Sequence, residues 1–260
     1  MIISHTHHYL FVELPYSAST AIASELCEHY GGTRILYKHA KYVEFLRVAT
    51  PSEKPYFVFS CIRNPLDEAV SHYFRYKTNH DEMFTDAEKI ARYGITTQEL
   101  RAYHWIQDAN PNFSQFLRRA YPIPHDNWSA LSHHAFDAII RFENVQSDFA
   151  EALKRLGFDA VRPLPVKNKT GDKDKNYLAY YTPDVIPHAK RVFGHFMREW
   201  SYDVPPTWGA FTPSKRQDIE FAAWRIVRKL YWRYANRTSN PVLQKIAVRL
   251  KQMLWAWNVS

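Results

Sequence analysis

The chain has 260 residues, of which 46% are hydrophobic and 23% are charged, a composition typical of a globular protein with a large buried core. Its two cysteines, Cys27 and Cys61, exclude a disulfide framework as the organising device. The net charge of +8 favours anionic partners, which leaves nucleic acid, anionic lipid, a phosphorylated cofactor and an acidic glycan open.

The start of the chain has no basic region followed by an apolar core, and no apolar run has the length of a membrane span. No internal repeat or low-complexity tract is present. We therefore expect a cytoplasmic protein without a signal peptide or a transmembrane segment.

The first strong pattern lies in residues 9–26 and predicts a buried strand, a tight turn and the start of a helix. Residues 9–14 are mostly apolar and aromatic, and Pro15 ends the strand because it lacks an N–H donor. A helix that starts after the turn points free N–H groups and the positive end of its dipole at the turn, which predicts an anion site. The alternative is an ordinary connection with a Ser/Thr cap. The turn consists of Tyr16, Ser17, Ala18, Ser19 and Thr20.

Strands and helices alternate along the rest of the chain. Strands are predicted for residues 33–38, 56–62 and 136–142, and His39 follows the first of these. Helices are predicted for residues 40–49, 66–76, 97–109, 112–121, 145–156 and 183–200, with two more after Ser214. The alternation predicts an α/β fold with a parallel sheet, whose ligands bind at the carboxyl ends of the strands. We expect one α/β domain over residues 1–210, with residues 211–260 as a basic, aromatic helical extension packed on it.

A second candidate anion site follows the strongest strand. Arg63 stands at the predicted end of that strand, and Ser71 lies two turns into the next predicted helix. These two side chains can hold one phosphate, because Arg supplies forked, charge-assisted hydrogen bonds. The alternative is a structural Arg on a loop and a Ser on a small-residue helix face.

These motifs resemble those of a known family. Arg63-x-Pro65 followed by Ser71-x-Tyr73 resembles the 3′-phosphate motif of sulfotransferases that use 3′-phosphoadenosine 5′-phosphosulfate. Residues 12–20 are similar to their 5′-phosphosulfate loop, which usually reads Pro-Lys-x-Gly-(Ser/Thr)-x. Residues 38–44 resemble the segment of heparan-type sulfotransferases in which a His after the second strand serves as the base. Lys167, Asn168 and Lys169, followed by residues 180–182, resemble their late loop over the nucleotide, so that the match covers about residues 8–205.

The resemblance implies a P-loop-like parallel sheet flanked by helices, and transfer of a sulfuryl group from that nucleotide to an acceptor hydroxyl, expected on a carbohydrate, without a metal. It implies His39 as the general base, with Lys38 beside it in the catalytic site. It also implies that the turn, Arg63, Ser71 and the late-loop residues Lys167, Asn168 and Lys169 bind the nucleotide. The acceptor is expected to contact loops within residues 78–132.

Two positions depart from the family pattern. Tyr16 stands where the family has Lys, and Ala18 stands where it has Gly. Lys38, Lys41 or a lysine of the late loop is the expected substitute for the missing cation. A binder of phosphorylated nucleotide without turnover therefore stays as the alternative function. A P-loop kinase is less favoured, because no Gly-Lys-Ser/Thr triplet occupies the turn.

The remaining polar clusters predict less. His5, His7 and His8, and the pair His133-His134, have no cysteine or carboxylate at a useful spacing, so we expect no metal there. The basic, aromatic residues after Ser214 are expected to pack on the core with solvated basic faces. Peripheral membrane contact or dimerisation is the second interpretation of these residues, and no nucleic-acid motif supports a third.

Overall fold

The computed structural model describes residues 1–126, 133–165, 173–231 and Lys245. Within them the chain is α/β, with five strands in one sheet and nine α-helices. The described residues divide into two compact units, residues 1–64 with 133–165 and residues 65–126 with 173–231. The boundary predicted near residue 210 stays a prediction. Among the described helices, none has the length and apolar character needed to cross a membrane.

The first unit contains the sheet. Its strands are β1 (Ile2–Ser4), β2 (Tyr9–Val12), β3 (Thr33–Arg34), β4 (Phe57–Ile62) and β5 (Ala138–Arg141), in the order β3-β1-β2-β4-β5. β2, β4 and β5 pair in parallel, whereas β1 pairs antiparallel with both β2 and β3. The predicted parallel sheet is therefore a mixed one, because four residues between β1 and β2 allow a hairpin but no crossover. The P-loop-like arrangement is not confirmed.

β2, β3, β4 and β5 nevertheless point in one direction, since only β1 is reversed between β3 and β2. Their carboxyl ends lie at the same edge of the sheet. Both faces of the sheet are covered, which explains the unbroken apolar runs of β2 and β4. Phe11 and Phe59 pack with α1 (Ser19–His29) and α7 (Val145–Arg155) on one face. Leu10 and Val58 pack with Phe45 of α2 (Tyr42–Val48) on the other.

The second unit is helical in its described residues. It contains α3 (Pro65–Lys77), α4 (Ala87–Tyr93), α5 (Thr97–Ala109), α6 (Phe113–Ala120), α8 (Ile186–Glu199) and α9 (Lys215–Leu230). The buried residues Val70, Tyr73, Phe116 and Phe193 belong to its core and come from α3, α6 and α8. α9 confirms the first helix predicted after Ser214, and Ser214 caps it in a capping box with Gln217. The second helix predicted after α9 lies outside the described residues.

One local difference from the predicted elements concerns residues 33–38. The strand there ends at Arg34, because Leu36 adopts a φ of 53° in the left-handed region and turns the chain away from the sheet. The segment from residue 35 to Lys41 therefore crosses the carboxyl edge of the sheet as a loop, and α2 begins at Tyr42. This loop carries Lys38 and His39.

Candidate anion-binding site

The turn between β2 and α1 is held by its own side chains. The hydroxyls of Ser17 and Ser19 both donate to the carbonyl oxygen of Leu14, at 2.8 and 2.7 Å. Because these bonds use the hydroxyl protons, the two serines brace the turn. The candidate donors to an anion at this turn are the first backbone N–H groups of α1, an eleven-residue helix.

The backbone around the turn is strained. Tyr16 and Ala18 have φ values of 62° and 61°, and Leu36 and His39 in the facing loop have 53° and 63°. Non-glycine residues rarely adopt this region, and such residues concentrate where a binding or catalytic geometry is enforced. Ala18 is the residue before α1, so the backbone is left-handed at the position where the motif that this turn resembles has Gly.

Lys38 brings a positive charge to the turn. Its Nζ atom lies 3.2 Å from Oγ1 of Thr20, in the first turn of α1. Lys38 is exposed and Thr20 is half-buried. A lysine of the loop after β3 thus lies beside the turn, whereas position 16 in the turn itself is a tyrosine.

The backbone directly after β2 orients the side chain of His39. Its Nδ1 atom lies 3.3 Å from the carbonyl oxygen of Glu13. A carbonyl oxygen only accepts, so Nδ1 carries the proton and Nε2 presents its lone pair. Burial first, and the adjacent Lys38 charge second, lower the pKa of His39 to about 4. The imidazole is consequently neutral at pH 7.

Arg63 links the turn to the end of β4. Its Nη1 atom donates to the carbonyl oxygen of Tyr16 at 2.9 Å, and its guanidinium carbon lies 4.0 Å from the centre of the Phe142 ring. Glu143 braces the same region, because its carboxylate accepts from the N–H of Asn64 at 2.7 Å. From the sequence, Glu143 directly after Phe142 was predicted to be a charge at a helix start rather than a catalytic acid.

The first unit therefore brings together most of the predicted site at the carboxyl edge of the sheet. Ser71 lies on α3 in the second unit, where its hydroxyl accepts from Nζ of Lys173 at 3.0 Å. Lys173 also forms an ion pair with Asp67. The sequence did not predict Lys173 as a site residue, although it lies in the same basic stretch as Lys167, Asn168 and Lys169. The residues brought together are Tyr16, Ser17, Ala18, Ser19, Thr20, Lys38, His39 and Arg63, whereas Lys167, Asn168 and Lys169 lie outside the described residues.

One cluster in the described part of the chain has the spacing of a metal site, namely Glu25, Glu28 and His29 on α1. Arg162 already binds both carboxylates, with its Nη2 atom 2.9 Å from Glu25 and 3.0 Å from Glu28. The cluster is therefore an ion-pair network with a guanidinium at its centre.

A comparison of this chain with protein-family models, with curated proteins and with solved structures finds no match. The chemistry of the site is therefore the basis for assigning a function.

Proposed function

We propose that this protein is a sulfotransferase that moves a sulfuryl group from 3′-phosphoadenosine 5′-phosphosulfate to an acceptor hydroxyl, on a carbohydrate. The observation that carries the proposal is the meeting of three chemical features at one edge of the sheet. These are a helix N-terminus, the cations Lys38 and Arg63, and the neutral imidazole of His39.

The hydrogen-bond donors and positive charges at this edge of the sheet suit the 5′-phosphosulfate of this nucleotide. Backbone N–H groups at the start of α1 are donors to its oxygens, and the dipole of α1 favours negative charge there. Lys38 stands beside Thr20 and neutralises charge on the bridging oxygen, which is the role of the lysine that Tyr16 replaces. Lys38 is thus the substitute for that lysine, rather than Lys41 at the start of α2.

Arg63 is assigned to the 3′-phosphate. A guanidinium offers forked, charge-assisted hydrogen bonds, which suit a doubly charged phosphate. The contacts with Tyr16 and Phe142 fix its position next to the turn. The contribution of Ser71 to the same phosphate, and that of Lys167, Asn168 and Lys169 to the nucleotide, stay predictions.

The reaction is an in-line displacement at sulfur. The acceptor oxygen attacks the sulfur atom while the bond from sulfur to the bridging oxygen breaks, and its electron pair leaves with 3′-phosphoadenosine 5′-phosphate. The proton of the acceptor hydroxyl passes to Nε2 of His39, which is unprotonated at neutral pH. Positioning by the turn and charge stabilisation by Lys38 supply the rest of the catalysis.

A second function, nucleotide binding without turnover, is favoured by one observation, the tyrosine at position 16. A phenol donates a weaker hydrogen bond than a cation and carries no charge. The two functions differ in a single measurable step, because both bind the nucleotide and only the enzyme transfers sulfate.

The experiment is transfer of radiolabelled sulfate from the donor to a panel of glycans and small alcohols, with binding measured in parallel. 3′-Phosphoadenosine 5′-phosphate at about 100 times its dissociation constant should stabilise the fold by about 2.7 kcal/mol without magnesium. Sulfate on any acceptor supports the enzyme. If the nucleotide stabilises the fold but no acceptor receives sulfate, the function is nucleotide binding without turnover. If only magnesium-ATP stabilises the fold, the protein is a kinase.

A further inference from the structure

The positive charge of this chain is concentrated at one end. Ten of the 34 Lys and Arg residues, but only two of the 26 acidic residues, lie within residues 214–260. The first 213 residues therefore carry 24 of each and have no net charge, so the whole excess of +8 comes from the last 47 residues. After Glu220 no acidic residue follows.

α9 is the described element of this basic region, and its inner face is anchored in the second unit. Phe221 stacks on His195 with 4.7 Å between ring centres. Arg225 forms ion pairs with the buried Asp126, at 2.8 Å, and with Glu199. These contacts fix the rotation of α9 about its axis, so its opposite face is presented outward.

That outer face is apolar. Ile219, Ile226 and Leu230 are 69%, 57% and 50% exposed. A single exposed aliphatic side chain is ordinary, but a contiguous exposed group of them is typical of an interaction surface. Their spacings of seven and four residues place them in one stripe along the helix. Exposed basic residues flank the stripe, namely Lys215, Arg216 and Lys229.

We propose that α9 lies on an anionic lipid surface, with its apolar stripe at the boundary between headgroups and acyl chains. In this arrangement Lys215, Arg216 and Lys229 contact lipid phosphates, which is the arrangement of interfacial amphipathic helices. The charge complementarity selects this occupant, because a second copy of the chain would bring the same excess of positive charge against it. A nucleic acid matches the charge but makes no use of three exposed aliphatic side chains.

The composition of the sequence after α9 also suits a lipid surface. Trp232, Trp255 and Trp257 accompany further Lys and Arg residues there, and Trp is enriched at membrane–water interfaces. The proposal does not depend on sulfate transfer, since its readout is partition onto lipid.

The experiment is co-sedimentation of the full chain with phosphatidylcholine vesicles, with or without phosphatidylglycerol. The wild type should bind the vesicles that contain phosphatidylglycerol and lose that binding in high salt. Lys215→Gln, Arg216→Gln and Lys229→Gln should each weaken partition by about fivefold. Ile219→Ser, Ile226→Ser and Leu230→Ser combined should weaken it by at least about tenfold at unchanged charge.

Val161→Ser is the matched control, because Val161 is 64% exposed and lies in the first unit. It should bind like the wild type. Ile226→Trp should strengthen partition, which keeps the proposal testable if the triple variant fails to fold. The proposal is overturned if the serine variants bind the vesicles as well as the wild type does. Binding would then depend on charge alone, and the partner of this face would be a nucleic acid or another polyanion. The proposal is equally overturned if the serine variants change only the oligomeric state while no vesicle binds.

Discussion

The Nδ1 atom of His39 lies 3.3 Å from the backbone carbonyl oxygen of Glu13. This bond joins the loop after β3 to the segment that leaves β2, and it fixes the tautomer of the imidazole. The imidazole that we propose as the general base is thereby held next to the turn between β2 and α1.

We expect His39→Asn to lower turnover by about 10²–10⁴-fold, the usual contribution of positioned proton transfer. Asn is the suitable replacement, because it tolerates the φ of 63° at this position better than Ala does. Calorimetry should show nearly unchanged binding of 3′-phosphoadenosine 5′-phosphate. Loss of nucleotide binding would instead make His39 a ligand or a structural residue.

The pH dependence of transfer should be flat where a histidine base usually titrates. Because burial and Lys38 lower the pKa of His39 to about 4, the imidazole is already neutral near pH 6. The rate should therefore stay level between about pH 6 and 8 and fall only as acid protonates the base. An ionisation near the ordinary histidine pKa would contradict this. Lys38→Gln should raise the pKa of His39, as NMR titration of its ring can measure.

Lys38→Ala should weaken binding of the donor, because the turn loses its nearby ammonium group. Lys54→Ala is the matched control, since Lys54 is an exposed lysine outside the site. Adding Tyr16→Lys to Lys38→Ala should recover binding if Lys38 takes the place of the missing lysine. Titration of each variant with the nucleotide checks this, and no recovery would show that position 16 does not face the ligand.

Arg63→Ala should weaken binding of 3′-phosphoadenosine 5′-phosphate by roughly 2–5 kcal/mol, the range for a desolvated charge pair that loses one partner. Adenosine 5′-phosphosulfate lacks the 3′-phosphate, so its weaker binding should change little. Equal losses for both nucleotides would mean that Arg63 acts by holding the turn through Tyr16. Arg63→Lys keeps a positive charge but loses the forked hydrogen bonds. Its affinity for 3′-phosphoadenosine 5′-phosphate should therefore lie between that of the wild type and that of Arg63→Ala.

Ala18→Gly should raise the free energy of unfolding by about 1 kcal/mol, because Gly adopts the φ of 61° without the strain that a Cβ adds. Thermal unfolding should register this as a rise of about 2–4 °C. Ala23→Gly, five residues later and inside α1, should instead lower the free energy of unfolding, since Gly is unfavourable in a helix interior. If Ala18→Gly instead lowered the free energy of unfolding, residue 18 would not have the strained, left-handed backbone on which this prediction rests.

Local patterns were sufficient for several elements. β4 lies within the predicted strand of residues 56–62, and α5 covers Thr97–Ala109 as predicted, because continuous apolar runs and helical periodicity depend only on neighbouring residues. The same patterns placed the candidate anion-binding turn, His39 and Arg63 after strands. The shared direction of β2, β3, β4 and β5 then brought them to one edge.

Tertiary structure alone decided the rest. The reversal of β1, the reach of Lys38 to Thr20, the bracing of Asn64 by Glu143 and the exposed stripe of α9 all join or separate residues far apart in sequence. The pKa of His39 belongs here as well, since it depends on burial by the folded chain. Periodicity indicates that a residue is covered, but partners and desolvation are properties of the packed chain, and these set the chemistry of the site.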